Sequence, residues 1–247
     1  HEQSKIADVL SSIDTDIEGV EQASSEQKEI KFGLMQELLT KGVDSDGRVR
    51  DETTHEFMDS PLGRIPAGWE CRAIGSLLKI KYGKDQKKVE VETGGYPILG
   101  TGGEFGRASR PLFKKPSILI GRKGTIDRPM FMDTPFWTVD TLFYSEVSNC
   151  VDPKYLFFVF ETIPWKKYNE ASGVPSLNAS TIEAIQCVVP KCKAEQEQIR
   201  NVLNSSEVHI HELSKKRDKL QSIKYGLMNE LLTGDTSVAP LLNEIAS

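Results

Sequence analysis

Thirteen Lys and Arg side chains stand between residues 72 and 128 against five Asp and Glu, a local net of +8 in a chain whose formal charge is −5. Cations clustered in this way do one kind of chemistry well. Lys neutralises phosphate as a point charge, and Arg adds a planar fork that can pair with phosphate or with the edge of guanine. The candidate DNA-contacting residues are Lys79, Lys81, Tyr82, Lys84, Lys87 and Lys88 in one segment and Arg107, Arg110, Lys114 and Lys115 in a second. Arg122, Lys123 and Arg128 form a third, and Gly121 and Gly124 bracket its first two members, so a tight turn would project them from a strand end. Glycines between 100 and 106 would let backbone approach a duplex closely. The same counts also fit a solvated basic face, because strand-end cations commonly serve solubility.

No residue pattern marks out catalysis. "GRKGT" (121–125) lacks the spacing of a phosphate-binding loop, and no GxGxxG follows a strand pattern. HExxH and GxSxG are missing too. "DPKY" (152–155) is not the Asn/Asp-Pro-Pro-aromatic motif with which an amino-methyltransferase holds its target base. Cys71, Cys150, Cys187 and Cys192 form no CxxC pair and have no His at zinc spacing, so they read as reduced thiols and no metal site is expected. His209 and His211, two apart on a helix, face different ways. No apolar run approaches the ~20 residues that cross a bilayer, and no signal-peptide pattern opens the chain, so a cytoplasmic home is the default.

The basic middle lies between two copies of one element. Residues 61–190 hold 17 Lys and Arg against 13 Asp and Glu, whereas the rest of the chain holds 14 against 23. "GLMQELLT" (33–40) returns as "GLMNELLT" (226–233), and the match extends back without a gap to Glu2 and Glu195, with 16 of 39 positions identical. In each copy the apolar residues recur in steps of three and four, close to a heptad seam, and neither copy contains Pro. Gly42 and Gly234 supply helix stops. Two helices of about 58 Å follow from a rise of 1.5 Å per residue. Near their ends Leu34, Met35, Leu38 and Leu39, and equally Leu227, Met228, Leu231 and Leu232, make an apolar band wider than one stripe. Packing on the chain itself would also cover it, but the near-identical duplication favours a docking face presented twice to a protein partner.

Between the helices, residues 43–60 are polar and rich in turn formers, which suggests a linker or extended surface segment. Short β-type runs follow at 96–106, 117–126 and 136–147, then a helix-like stretch at 152–168. A Gly/Ser/Pro loop leads to a short helix with Ser180 to Glu183 as its capping box, and "IQCVVP" closes the segment as a strand. The expected fold class is α+β. It comprises a long helix (1–42), a linker (43–60), one globular mixed domain (61–190), a second long helix (191–234) and a tail (235–247).

In this order, "LGRIPAGWE", "YPILGTGG", "ILIGRKGTI", "FWTVDTLFY", "YLFFVF" and "SGVPSLNASTIEAI" between two such helices resemble the specificity (S) subunit of type I restriction–modification systems. The resemblance covers nearly the whole chain. It implies one target-recognition domain flanked by that family's conserved helices, folded back as an antiparallel coiled coil with a pseudo-twofold axis. It further implies double-stranded DNA as ligand, methyltransferase (modification) and restriction subunits as partners, and no chemistry in this chain. AdoMet, ATP and Mg belong to those partner subunits. A complete S subunit carries two recognition domains, so the chain is either half-length, with a homodimer expected, or the C-terminal half of a longer subunit. The readings set against it are a coiled-coil assembly scaffold whose middle domain binds protein, and a specificity module detached from a single-chain enzyme.

Overall fold

Each repeat copy keeps an apolar stripe with no helix breaker, and each forms one long helix. The computed structural model describes the backbone of residues 2–233 and the side chains of residues 4–230. The chain opens with helix α1 (Glu2–Leu38) and strands β1 (Phe57–Ser60), β2 (Gly63–Pro66) and β3 (Trp69–Ala73). A single turn α2 (Ile74–Leu77) leads to β4 (Leu78–Lys81), β5 (Glu90–Val91), β6 (Tyr96–Gly100), β7 (Gly103–Ala108) and β8 (Ser117–Gly121). Then come β9 (Met130–Met132), β10 (Trp137–Thr138), β11 (Leu142–Val147), α3 (Pro153–Thr162) and a 3-10 turn (Trp165–Tyr168). The last elements are α4 (Ala179–Ala184), β12 (Gln186–Pro190) and α5 (Lys193–Thr233). They divide into two compact units: a sheet unit, Met35–Val202, and a helix unit made from the remainder of α1 and α5. No helix among the described residues is long and apolar enough to cross a membrane.

In the helix unit α1 and α5 lie antiparallel. Ile17 and Val20 are buried on the seam, with Ile13, Ile210 and Leu213 half-buried. Two ion pairs bridge the helices, Lys31 to Glu207 at 2.9 Å and Lys224 to Asp14 at 2.5 Å. The repeat offset of 193 turns residue 31 into 224 and residue 14 into 207, so each ion pair maps onto the other. That exchange is the mark of a local twofold axis through the pair. Near it the apolar seam lapses, leaving a cleft of about 700 Å³ whose lining includes Ser24, Lys28, Ser214 and Arg217.

The sheet unit is built on small sheets. β12 returns to pair antiparallel with β3, placing Val188 opposite Cys71, so the first and last parts of the unit share one ladder. A four-stranded antiparallel sheet has the order β4-β11-β8-β9, and a second has the order β10-β6-β7-β5, in which β10 runs parallel to β6. Their alternating apolar residues give two clusters, Leu99, Leu119, Phe136, Leu142 and Tyr144 in one and Val89, Ile98, Ala108 and Trp137 in the other. α3, buried from Tyr155 to Phe160, packs against β8 and β9. Its start is fixed by Asp152, whose carboxylate accepts from Lys154 N and Tyr155 N, with Pro153 at the first helical position.

One local expectation fails for an identifiable reason, and another is sharpened. Residues 43–60, expected as a linker or extended surface segment, are mostly exposed and yet anchored. Val43 is buried and bridges Val49, Arg50 reaches a buried carboxylate at Glu195, and Phe57–Ser60 is strand β1. The α4 cap is not the Ser180–Glu183 box. Asn178 caps the helix by accepting from Ser180 N at 3.1 Å, and Glu183 instead accepts from Ile80 N at 2.9 Å. The sheet unit also reaches beyond 61–190, taking in the end of α1 and the start of α5.

Candidate nucleic-acid interface

The turn after β8 is where the fold concentrates its loops. Arg122 N donates to Thr141 O at 2.8 Å, and Leu177 N donates to Arg122 O at 2.9 Å. Gly124 N donates to Pro175 O at 2.9 Å, and Lys123 bridges Ser176. Asn169 shapes the loop that lends these partners, accepting from Ala171 N and Ser176 N. Gly124 has φ +92°, which the turn requires, and a Cβ at Gly121 would run into Thr125 O. On the other side Lys84 N donates to Thr138 O, and Trp137 Nε1 donates to Lys84 O, both at 2.8 Å. A Cβ at Gly83 would meet the Val139 carbonyl. Loops around residues 83, 101, 123, 140 and 175 therefore converge, and the glycines are where their backbones touch.

Arg122 is held in this cluster without being used up by it. Its Nη1 donates to Asp140 O at 3.2 Å, and its guanidinium lies 5.3 Å from the centre of the Tyr82 ring. Tyr82, half exposed, in turn stands edge-on to Phe143 at 5.0 Å. The Asp140 carboxylate is 4.0 Å away, so the fork keeps donors for a further acceptor. Lys84 and Lys123 are exposed beside it. Ser109 N donates to Val89 O at 2.7 Å, which brings the exposed Lys87 and Lys88 near Arg110. Phe105, 54% exposed, lies over Gly100 at the same rim, and no charge count or turn signal in the sequence pointed to it.

The other cations divide. Lys79 pairs with Glu183 at 3.5 Å, Lys81 with Glu146 at 3.4 Å and Arg107 with Glu104 at 3.1 Å. Lys115 lines a separate cleft of about 470 Å³ with Phe113, Glu146 and Lys193. Lys114 is exposed three residues before the start of β8, and Arg128 is exposed beside Asp127, whose carboxyl is held below its usual range by Lys166. The fold thus places Tyr82, Lys84, Arg122 and Lys123 on the converging loops, sets Lys87 and Lys88 near Arg110 at the separate Val89–Ser109 contact, and leaves the rest elsewhere. Among the described residues no three His, Cys, Asp or Glu side chains gather as metal ligands.

The apolar band expected to dock a partner is split by the structure. Met35, Leu38 and Leu39 are buried inside the sheet unit, so packing on the chain itself accounts for them. Leu34 and Leu227 are half-buried and Met228 is exposed, while the side chains of Leu231 and Leu232 lie outside the described residues.

Residues 66–223 match the family model of the type I restriction modification DNA specificity domain, well over half of the chain. The chain belongs to that family. The type I restriction enzyme MjaVIII specificity subunit of Methanocaldococcus jannaschii is 24% identical over 276 residues, covering 97% of this chain and 61% of its own length. The chain spans about three-fifths of the length of the curated relatives it matches. Among solved structures, the S subunit of the type I system from M. genitalium superposes with a TM-score of 0.73 at 16% identity, over 93% of this chain and 60% of that one. The HsdS subunit from Thermoanaerobacter tengcongensis gives 0.58 at 12% identity, over 94% and 57%. At such identities the likeness establishes a specificity-subunit fold, long helices flanking a sheet-rich domain.

Proposed function

We propose that this specificity-family chain is a DNA-recognition module, that it directs separate methyltransferase and restriction subunits to a target site, and that it carries no catalysis of its own. The observation behind this reading is the loop cluster around Arg122. There a half-held guanidinium and several exposed cations stand on backbone fixed by contacts between loops. Preorganised cations of this sort lose little freedom on meeting a phosphate or base edge. The chain's overall charge of −5 argues that alone it binds DNA weakly, and that tight binding belongs to the assembly with partner subunits.

Co-purification with a methyltransferase subunit, DNA retention by the complex across a salt series, and mapping of methylated adenines in host DNA test the reading together. Retention that falls with salt and a single methylated motif are expected. A complex that ignores DNA, or an isolated chain that binds its site as well as the complex does, would contradict it. Binding of AdoMet by the isolated chain would contradict the non-catalytic assignment.

A further inference from the structure

The converging loops carry apolar side chains as well as cations. Tyr82 stands beside Arg122, and Val174 lies one residue before Pro175, whose carbonyl accepts from Gly124 N. Phe105 lies on the hairpin of β6 and β7. All three are exposed, Val174 at 67% and Phe105 at 54%. The tip of that hairpin belongs to the same cluster. A Cβ on Gly121 would stand 3.2 Å from the Thr101 methyl, and one on Gly124 would stand 3.5 Å from the Thr101 hydroxyl.

The strand itself puts Phe105 outside. Across the hairpin Ile98 pairs with Gly106 and Leu99 with Glu104, so Phe105 is the extra residue of a β-bulge. Regular alternation would turn one of two neighbouring residues inward, whereas here both Glu104 and Phe105 are exposed. Glu104 is occupied by Arg107 at 3.1 Å. The Phe105 ring lies over Gly100, where an added Cβ would stand 3.3 Å from the ring and 3.8 Å from a Val139 methyl. Bare backbone and a valine thus floor one side of the ring, and the rest faces solvent. Neither solubility nor phosphate binding calls for such a residue. Cations attract phosphate without it, and an exposed phenyl ring forgoes the burial that folding would give.

We infer that Phe105 is a wedge that enters the base stack of the bound duplex, parting two neighbouring base pairs and bending the DNA. The inference rests on the DNA-recognition reading above and adds a mechanical step to it. An apolar side chain placed between base pairs fills the gap that unstacking opens, and the bend brings more backbone within reach of Lys84 and Lys123. Pyrimidine–purine steps part most readily, so the site is read partly through its deformability. Tyr82 is less free for this role, because its ring already carries Arg122 and meets Phe143 edge-on.

The test uses the complex assembled with its modification subunits and a duplex carrying the motif that methylation mapping defines. 2-Aminopurine, which brightens on unstacking, replaces in turn each purine of the motif other than the methylated adenines. With the wild type one step should brighten, and energy transfer between dyes at the duplex ends should report a bend. Phe105→Ala should lose both signals and about tenfold in affinity, with an unchanged slope of log K against log salt, since no phosphate contact is removed. Phe105→Leu, still an apolar wedge, should keep most of the bend. Urea midpoints equal to the wild type show that the variants fold, and Phe105→Gln replaces the Ala change if its midpoint falls. A wild-type complex that binds the motif with neither signal overturns the wedge and leaves the recognition reading standing. So does a Phe105→Ala complex that brightens and bends as the wild type does. A complex indifferent to DNA overturns both.

Discussion

Arg50 and Arg122 are the same residue type placed in opposite circumstances. Arg50 pairs with Glu195, and that carboxylate is also filled by Trp69 and by the backbone of Val43, with both charged side chains largely out of solvent. Arg122 spends one donor on a carbonyl, rests on a tyrosine ring and leaves the remainder of its fork open. A saturated cation fixes the chain to itself, whereas a half-satisfied one on rigid backbone is available to something else. The lesson applies to every cation of the basic middle. Net charge says how many there are, and only partner geometry says which are spare.

The largest expected effect lies at the saturated site. Removing one member of a buried ion pair strands the other, which commonly costs about 3–5 kcal/mol. Arg50→Ala should therefore lower the urea midpoint by an amount equivalent to ~3 kcal/mol or more, and Glu195→Ala should do likewise because it also strands the Trp69 indole. Equal stability of either variant and the wild type would erase the distinction between the two arginines. Next come the exposed lysines. Each phosphate contact contributes about 0.9 to the slope of log K against log salt, so Lys84→Ala, Lys87→Ala and Lys88→Ala together should flatten that slope for the assembled complex by roughly 2–3. Lys79→Ala and Lys81→Ala, which remove cations already paired to Glu183 and Glu146, should change it by less than about 1. Arg122→Ala follows, with a loss of about tenfold or more in DNA affinity and an unchanged urea midpoint. Arg122→Lys should not restore binding, since the planar fork is lost.

Much of the frame was legible in the sequence, and for a physical reason. The repeat, its helical period and the order of glycine-broken β runs are local patterns, and local patterns survive into the fold. The antiparallel helix pair could even be reasoned from the duplication, and the exchange of the 31–207 and 14–224 ion pairs bears it out. What escaped was set by long-range contact. Met35 and Leu38 looked like a partner's docking face because nothing in their neighbours reveals the groove that covers them. The anchoring of segment 43–60 was hidden because Arg50 finds its carboxylate 145 residues away. For the same reason Lys79 and Lys84 were indistinguishable as letters, since Glu183 meets the first only after the chain has folded.

The smallest perturbation is also a direct probe of that hidden groove. Cys187 lines it together with Met35 and Leu39, in a space of about 570 Å³. Burial pushes its thiol up to about 12, so at pH 8 it remains protonated and unreactive while the exposed Cys150 and Cys192 are free to react. The folded state keeps a proton that the unfolded chain releases near its ordinary value, so this group's contribution is present below about 9 and falls as pH rises from there towards 12. Iodoacetamide labelling at pH 8, read by mass spectrometry, should mark Cys150 and Cys192 first and leave Cys187 nearly silent. Met35→Ala or Leu39→Ala should open the groove and raise labelling of Cys187 severalfold without unfolding the chain. Arg122→Ala should leave it untouched, because its loops line no part of that space. Labelling of Cys187 that responds equally to both kinds of change would mean that the groove and the loop cluster are coupled rather than separate.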